Sequence, residues 1–168
     1  MKNTMKFVLF LTALAWCVPL HAQWQVQESV LNDHTWYKIG VTEDGVYSVD
    51  YATLQSLGVE VQGLDPAGIR LYGNVPGILP EENDEERYDD LTEIAIQVLG
   101  SEDGAFDPED KILFYANGPV KMELNVMDFL NYERNPYSDT VFYFLCVDSD
   151  VLGLRMQTQS PVTTAHRK

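Results

Sequence analysis

The chain has 168 residues and a formal net charge of −15, with 26 acidic residues against 11 basic ones. This length is enough for one domain and hardly enough for two. Such an acidic excess disfavours nucleic acids and anionic lipids as partners, because both carry the same sign of charge. The cysteines are Cys17 and Cys146, and if the first 22 residues are removed only Cys146 remains, so no intrachain disulfide is expected.

Residues 1–22 have the order of parts that is typical of a secretory signal peptide. Lys2 and Lys6 precede an apolar core at Phe7–Val18, and a short, less apolar end follows. That core is too short to cross a membrane as a helix. We therefore expect export to the periplasm or the outer-membrane cell surface, with an uncleaved amphipathic anchor as the alternative. Loss of the two lysines would change the net charge from −15 to −17.

The next part of the chain divides into an edge segment and a hairpin. Residues 23–35 are polar and mixed, which predicts an edge strand or a flexible entry. The stretch Trp36–Tyr51 predicts a β-hairpin whose three-residue loop ends at Gly45, a bulge glycine in the left-handed region. This loop length pairs Val41 with Tyr47, so that apolar residues lie opposite each other.

A short helix and a strand are predicted after the hairpin. Asp50 is placed to cap a helix at Ala52–Leu57, and Gly58 is placed to end it. The stretch Leu64–Gly73 predicts a turn followed by a strand. The run of like charge at Glu81–Asp90 is typical of a solvated surface loop, with a cation or partner site as the alternative.

Three later segments have strand patterns. Thr92–Leu99 alternates apolar and polar residues, which predicts one half-buried strand. Ile112–Ala116 and Thr140–Val147 are apolar on both faces, and such strands are normally central and covered on both sides. We therefore expect Phe114 and Phe144 to lie in the same hydrophobic core.

The remaining segments are less regular. Lys121–Pro136 predicts a long loop or a distorted hairpin. Residues 151–168 predict a mobile, unfinished tail or a linker to a missing domain, with apolar side chains exposed nearby. The whole pattern predicts an all-β fold, a β-sandwich-like domain of about seven short strands with one short helix, within residues 36–150.

Residues for nucleophilic catalysis are scarce. Cys146 lies inside an apolar strand, where a thiol is usually a buried hydrophobe with a raised pKa. The histidines outside the signal peptide, His34 and His166, do not stand in a catalytic motif with it. The sequence also lacks zinc-ligand spacing and a glycine-rich phosphate loop. We therefore predict no catalytic residues in this chain.

The acidic turn before Ile112 resembles a calcium loop in its spacing. Asp103, Asp107 and Asp110 would take the fifth, ninth and twelfth positions of such a loop. The first position would fall on Leu99, whose side chain cannot bind a cation. The spacing therefore favours a polar turn whose aspartates accept hydrogen bonds from nearby backbone amides. Calcium binding is the alternative, and no other cofactor is expected.

Six blocks of sequence, in the same order, resemble a known family. They are WYKIGVTEDGVYSVDYATLQSLGV, DPAGIRLYGN, LPE, DDLTEIAIQV, DGAFDPEDKILFYANGP and NPYSDTVFYFL. This order resembles the N-terminal region of the type IX secretion sortases, the PorU-like, gingipain-related cysteine peptidases of Bacteroidetes. The resemblance runs from about Trp36 to Leu145.

The resemblance implies a non-catalytic, β-rich module that precedes a peptidase domain. The family's catalytic His and Cys would lie beyond Lys168, so none is assigned here. The implied partners are that missing peptidase domain and outer-membrane components of type IX secretion. Two other functions remain open: a free-standing secreted adhesin or carbohydrate-binding β-domain, with an aromatic platform from Trp24, Trp36 and Tyr37, and an enzyme with its own cleft.

We predict that residues 1–22 are absent from the exported protein. The signal peptide pattern places cleavage after Ala22, so mass spectrometry of exported material should show a chain that begins at Gln23. Exported protein that retains Met1 would contradict this prediction.

Overall fold

The computed structural model describes residues 28–74, 84, 88–124 and 130–159. Within these residues, nine strands form three antiparallel sheets, with one α-helix and three short 3-10 turns. The elements are β1 (Tyr37–Val41), β2 (Gly45–Asp50), α1 (Tyr51–Leu57), β3 (Ile69–Gly73), β4 (Thr92–Ile94), β5 (Gln97–Leu99), β6 (Lys111–Ala116), β7 (Val120–Leu124), β8 (Leu130–Arg134) and β9 (Val141–Val147). The predicted all-β, sandwich-like fold is confirmed.

Two sheets face each other and a separate ribbon completes the fold. The first sheet has the strand order β1-β9-β3-β4, the second has β2-β6-β5, and β7 pairs with β8 alone. The core lies between the first two sheets, where Phe114 of β6 meets Tyr143 of β9 with ring centroids 5.6 Å apart. Burial of such aromatic rings supplies much of a small domain's stability.

The predicted hairpin at Trp36–Tyr51 is wrong. β1 pairs with β9 in the first sheet, whereas β2 pairs with β6 in the second. Val41 and Val49 are both buried, because the two strands bring their apolar residues to the same core from opposite sheets. Gly45 is not among the residues with positive φ and lies within β2. The alternation of apolar and polar residues correctly predicts two strands here, but it does not determine which strands they pair with.

The predicted helix and the strand after it are confirmed. The helix begins one residue earlier than expected, at Tyr51, and the Asp50 carboxylate accepts a hydrogen bond from the Thr53 amide at 2.9 Å. Gly58 ends the helix with φ of 92°, a conformation that favours glycine. After a 3-10 turn at Pro66–Gly68, β3 buries the alternate residues of its inner face.

The predicted single strand at Thr92–Leu99 is two strands that belong to different sheets. β4 pairs with β3 in the first sheet and β5 pairs with β6 in the second. Between them, the backbone of Ile96 donates a hydrogen bond to the Leu154 carbonyl at 3.1 Å and accepts one from the Met156 amide at 2.9 Å. The side-chain alternation continues through the break, which is why the sequence pattern did not reveal it.

The two apolar strands are central, as predicted, but they are not covered on both sides. β6 lies between β2 and β5, and β9 lies between β1 and β3. On their outer faces, Tyr115 is 50% exposed and Phe142 is 39% exposed. Phe144 shares the outer face of β9, so the expectation that it joins Phe114 in the core is wrong. Tyr143 takes that place, because successive residues of a strand point to opposite faces.

Two irregular segments are ordered by pairing. Within Lys121–Pro136, the distorted-hairpin alternative is the better one, since β7 and β8 form an antiparallel ribbon. The expected mobility of the tail does not hold for its first part, because the Gly153 amide donates to the Ala67 carbonyl at 2.9 Å and residues 154 and 156 bond to Ile96. The domain boundaries themselves stay a prediction.

Several predictions lie outside the described residues. They concern the signal peptide, residues 23–27, the loop at 75–80, most of the acidic run, His166 and the end of the tail. In the part of the chain that is described, none of the helices has the length and apolar character needed to cross a membrane.

We predict that Phe114→Ala lowers the free energy of unfolding by about 3–5 kcal/mol, the range for a fully buried aromatic ring. Phe144→Ala should cost less than half as much, because that ring is only partly buried on the outer face of β9. Urea unfolding monitored by circular dichroism measures both losses. Equal losses would contradict the assignment of the inner and outer faces.

Candidate functional site

A cluster of polar side chains lies on the outer face of the first sheet. We call it the outer cluster, and its members are Arg70, Tyr72, Glu93, Cys146 and Asp148. Strand alternation explains their convergence, because β3 turns its even-numbered residues outward while its odd-numbered ones enter the core. Strand register then places Arg70 opposite Cys146 and Tyr72 opposite Glu93.

Arg70 is the centre of the outer cluster. Its Nη2 lies 2.8 Å from Glu93 Oε2, and its Nη1 lies 3.5 Å from Asp148 Oδ2. The guanidinium carbon also lies 5.2 Å from the centroid of the Tyr72 ring, within the range of a cation–π contact. Its Nε is buried and has no hydrogen-bond partner among the described residues.

The segment before β1 covers one side of the outer cluster. Trp36 meets Tyr72 edge to face, with ring centroids 5.3 Å apart. His34 Nε2 lies 3.5 Å from Asp148 Oδ2, and the His34 backbone has φ of 76°, which is uncommon outside glycine. The Asp90 carboxylate accepts a hydrogen bond from the Val30 amide at 2.6 Å. The segment is therefore held at both ends by carboxylates.

The surroundings of Glu93, Asp148 and Tyr72 keep the protonation state of each group constant around neutral pH. Burial would raise the pKa of Glu93, but hydrogen bonds from Arg70 and from the Leu154 amide outweigh it and lower this pKa. A hydrogen bond from the Asp150 amide lowers the pKa of Asp148. Burial and the charge of Glu93 raise the pKa of Tyr72 to about 12. None of these three groups changes its charge near neutral pH, which is where a general acid or base would need to work.

Cys146 is buried, as the sequence predicted. Its side chain is fully covered, and burial raises the pKa of the thiol to about 11. A neutral, covered thiol is a poor nucleophile. Among the described side chains, the His34 ring nitrogen Nε2 approaches the carboxylate of Asp148, at 3.5 Å. The chemistry of the outer cluster is therefore that of a structural polar network.

In the acidic turn, the side chains of Asp103 and Asp110 accept hydrogen bonds from backbone amides. Asp110 is buried and its Oδ2 accepts a hydrogen bond from the Asp107 amide at 2.9 Å, while Asp103 Oδ1 accepts one from the Ala105 amide at 3.1 Å. Over the described ranges, no group of three or more His, Cys, Asp or Glu side chains is placed to hold a metal ion. Calcium binding stays an alternative, which a calcium-dependent melting temperature would distinguish from a purely structural turn.

A second, smaller feature is a cavity of about 300 Å³ beside the tail. Its lining residues are Asp65, Pro66, Ala67, Val98, Ser101, Gly104 and Arg155. The Arg155 guanidinium donates to the carbonyls of Pro66, Ala67 and Ile69 at 2.6, 2.9 and 3.1 Å, so it ties the tail to the start of β3. Arg155 therefore stabilises one wall of the cavity through these hydrogen bonds.

Sequence reasoning missed the two arginines and Glu93. The only hint was a charged residue within each of the short strands that hold Arg70 and Glu93, and nothing local predicts that these strands are neighbours. Arg155 stands in the segment that was predicted to be a mobile tail or a linker, and its partners are 86–89 residues away in sequence.

Comparison with known proteins shows a similarity to a solved structure. No protein-family model matches the sequence, and no curated protein matches it either. Among solved structures, the crystal structure of dimeric latent PorU from Porphyromonas gingivalis matches with 28% identity and a TM-score of 0.56. The chain is similar to part of PorU. The match covers 79% of this chain and 11% of the PorU chain, so a PorU-like relationship is supported by structural similarity and not by a sequence-family match.

We predict that Glu93→Gln lowers stability at pH 7 by about 1–2 kcal/mol, the range for a hydrogen bond to a charged group that is partly exposed. The pKa of Glu93 is lowered from 4.5 in the folded protein. Its contribution is therefore present above about pH 4.5 and is lost as the pH falls through the folded pKa.

Urea unfolding at pH 7, 4.5 and 3 measures this effect. The deficit of Glu93→Gln should shrink as the pH falls below 4.5, because protonation of the wild-type carboxylate removes the charge that the variant lacks. Glu60→Gln is the matched control, because Glu60 is exposed. A deficit that is the same at all three pH values would contradict the prediction.

Proposed function

We propose that this chain is a non-catalytic module of a type IX secretion sortase, which supports or docks the peptidase domain that processes the C-terminal signals of secreted cargo. The observation that carries the proposal is the similarity to PorU over 79% of the chain. The six ordered sequence blocks from Trp36 to Leu145 resemble the same family. The chain spans 11% of PorU, so the activity of the whole protein is assigned to other parts of such a sortase.

The described residues support a non-catalytic role. Nucleophilic catalysis needs a reachable thiolate or hydroxyl beside an oriented base. The thiol of Cys146 is covered, and its pKa is raised to about 11. The carboxylates of the outer cluster are occupied by Arg70 and by backbone amides.

Exposed apolar side chains at the start of the tail support a docking role. Leu152 is 79% exposed and Leu154 is 50% exposed, although residues 153–156 are bonded to the domain. Exposed apolar groups on ordered backbone are typical of surfaces that contact another protein. In the proposed sortase, the next domain would cover them.

The proposed location and partners follow from the same resemblance. The module would be exported to the periplasm or the outer-membrane surface, and it would contact the peptidase domain and outer-membrane components of type IX secretion. It would need no cofactor. A free-standing adhesin is less favoured, because Trp36 packs edge to face on Tyr72 and Tyr37 packs against the core, so these two residues do not form a flat exposed platform.

The size of the cellular protein tests whether the chain is a module. An antibody raised against residues 28–74 should detect, in the outer-membrane fraction, a protein much larger than 168 residues. Its reading frame should continue into a peptidase with a catalytic His and Cys. Detection of only a free domain of this size in every fraction would contradict the proposal.

Turnover assays test the non-catalytic role directly. Incubation of the chain with peptide libraries, including C-terminal secretion-signal peptides, should give no product, and a thiol-reactive probe should label Cys146 slowly under native conditions. Cys146→Ala is the matched control. Turnover that disappears in this variant would overturn the non-catalytic assignment.

A further inference from the structure

The turn after β6 contains the single Asn–Gly pair of the sequence, Asn117–Gly118. In such a pair the glycine nitrogen can attack the asparagine side-chain carbonyl, because glycine has no Cβ to hinder the approach and leaves the backbone free to turn. Asparagine is accordingly among the thermolabile residues of proteins. The pair directly follows Ala116, the last residue of β6, and its asparagine bonds to the buried Tyr143 hydroxyl. A chemical change here would therefore act on the contact between the two sheets.

Packing requires a glycine at the second position of this pair. Gly118 is buried against the crossing between β1 and β2. A Cβ on Gly118 would lie 2.7 Å from the carbonyl carbon of Glu43 and 2.8 Å from its Cα. Because both of these atoms belong to the backbone, a side chain at this position would force the crossing to move. The fold therefore keeps the residue that exposes Asn117 to attack, and protection has to come from elsewhere.

Hydrogen bonds hold the peptide groups on both sides of Asn117. The Asn117 amide donates to the Tyr143 hydroxyl at 2.7 Å, and the Asn117 carbonyl accepts from the same hydroxyl at 3.1 Å. The Gly118 amide donates to Oδ1 of Asp44 at 2.6 Å. Rotation of the Asn117–Gly118 peptide group would break at least one of these bonds, two of which involve the Tyr143 hydroxyl and one a carboxylate.

The Asp44 carboxylate opposes attack by the Gly118 nitrogen in two ways. The nitrogen becomes a nucleophile when it loses its proton, and its reactive electron pair then points where the N–H pointed. In the structure that direction leads to Asp44 Oδ1 and not to the side chain of Asn117. A negative carboxylate at hydrogen-bond distance also repels the negative nitrogen that the reaction needs. The same contact therefore misdirects the nucleophile and disfavours its formation.

We propose that Asn117–Gly118 is a deamidation site that the Asp44 carboxylate protects. Without this protection, the Gly118 nitrogen forms a bond to Cγ of Asn117, and the bond from Cγ to Nδ2 breaks. The amide proton passes through the solvent to the departing ammonia, which leaves a cyclic imide. Water then adds to one of the two imide carbonyls and opens the ring, so that residue 117 becomes either aspartate or isoaspartate. The reaction consumes only water and involves no oxidation or reduction.

The isoaspartate product would disrupt the contact between the sheets. In isoaspartate the main chain runs through Cβ, so one more atom separates the backbone amide from the carbonyl that follows it. In the unmodified chain these two groups of Asn117 bond to the same Tyr143 hydroxyl, and the longer backbone would prevent them from doing so with the same geometry. Loss of a bond to this buried hydroxyl is costly. Both products also add a negative charge to a chain that already carries −15.

Removal of the carboxylate tests the protection. The purified chain is incubated in mildly alkaline buffer, and peptide mapping by mass spectrometry follows the conversion of Asn117 to aspartate and isoaspartate. Asp44→Ala should deamidate about tenfold faster than wild type or more, the factor that corresponds to a hydrogen bond to a charged group. Asp103→Ala is the matched control, because Asp103 is also exposed, also precedes a glycine and also accepts from a backbone amide, that of Ala105. Equal rates in wild type and Asp44→Ala would overturn the proposal.

A second variant separates local protection from the stability of the whole domain. Leu54→Ala truncates a fully buried side chain of α1 and lowers stability while Asp44 stays in place. At a temperature where circular dichroism shows every variant folded, Leu54→Ala should deamidate as slowly as wild type. Hydrogen exchange of the Gly118 amide, measured by NMR, should be faster in Asp44→Ala than in Leu54→Ala. Deamidation of Leu54→Ala at the rate of Asp44→Ala would overturn the proposal, because global unfolding would then control the reaction. This inference does not depend on the proposed function.

Discussion

The contact between Tyr143 and the end of β6 holds the two sheets together. The Tyr143 side chain is fully buried, and its ring meets Phe114 of the opposite sheet. Its hydroxyl accepts a hydrogen bond from the Asn117 amide at 2.7 Å and donates one to the Asn117 carbonyl at 3.1 Å, so the buried oxygen is satisfied. Gly73 makes room for the ring, since a Cβ there would lie 2.7 Å from a Tyr143 ring carbon.

This inter-sheet contact requires the chain to cross repeatedly from one sheet to the other. The crossing after β1 takes the place of a hairpin, and the Asp44 carboxylate fastens it by accepting a hydrogen bond from the Gly118 amide at 2.6 Å. The crossing between β4 and β5 occurs at Ile96, whose backbone bonds to the tail. At each crossing, the two adjacent strands enter different sheets and pair with strands that are distant in sequence. This arrangement lets both sheets bury their inner faces against each other.

The outer faces of the two sheets differ in chemistry. The first sheet carries Arg70 and its carboxylate partners, partly covered by the segment that contains His34 and Trp36. The second sheet leaves Val46 and Tyr115 exposed side by side. Among the described residues, the first arrangement is a network of charged groups paired with one another, and the second leaves its apolar residues uncovered.

The sequence alone determined the features that depend on neighbouring residues. These were the all-β class, the helix between Asp50 and Gly58, the positions of most strands and the burial of Cys146, because capping and apolar alternation are local. Only the tertiary structure decided which strands pair and which face of β9 enters the core. Val41 suits a hairpin and a sheet-to-sheet crossing equally well, and Tyr143 and Phe144 are both apolar enough for the interior. Those choices depend on packing between residues far apart in the chain, where the total burial of both sheets determines the partner of each strand.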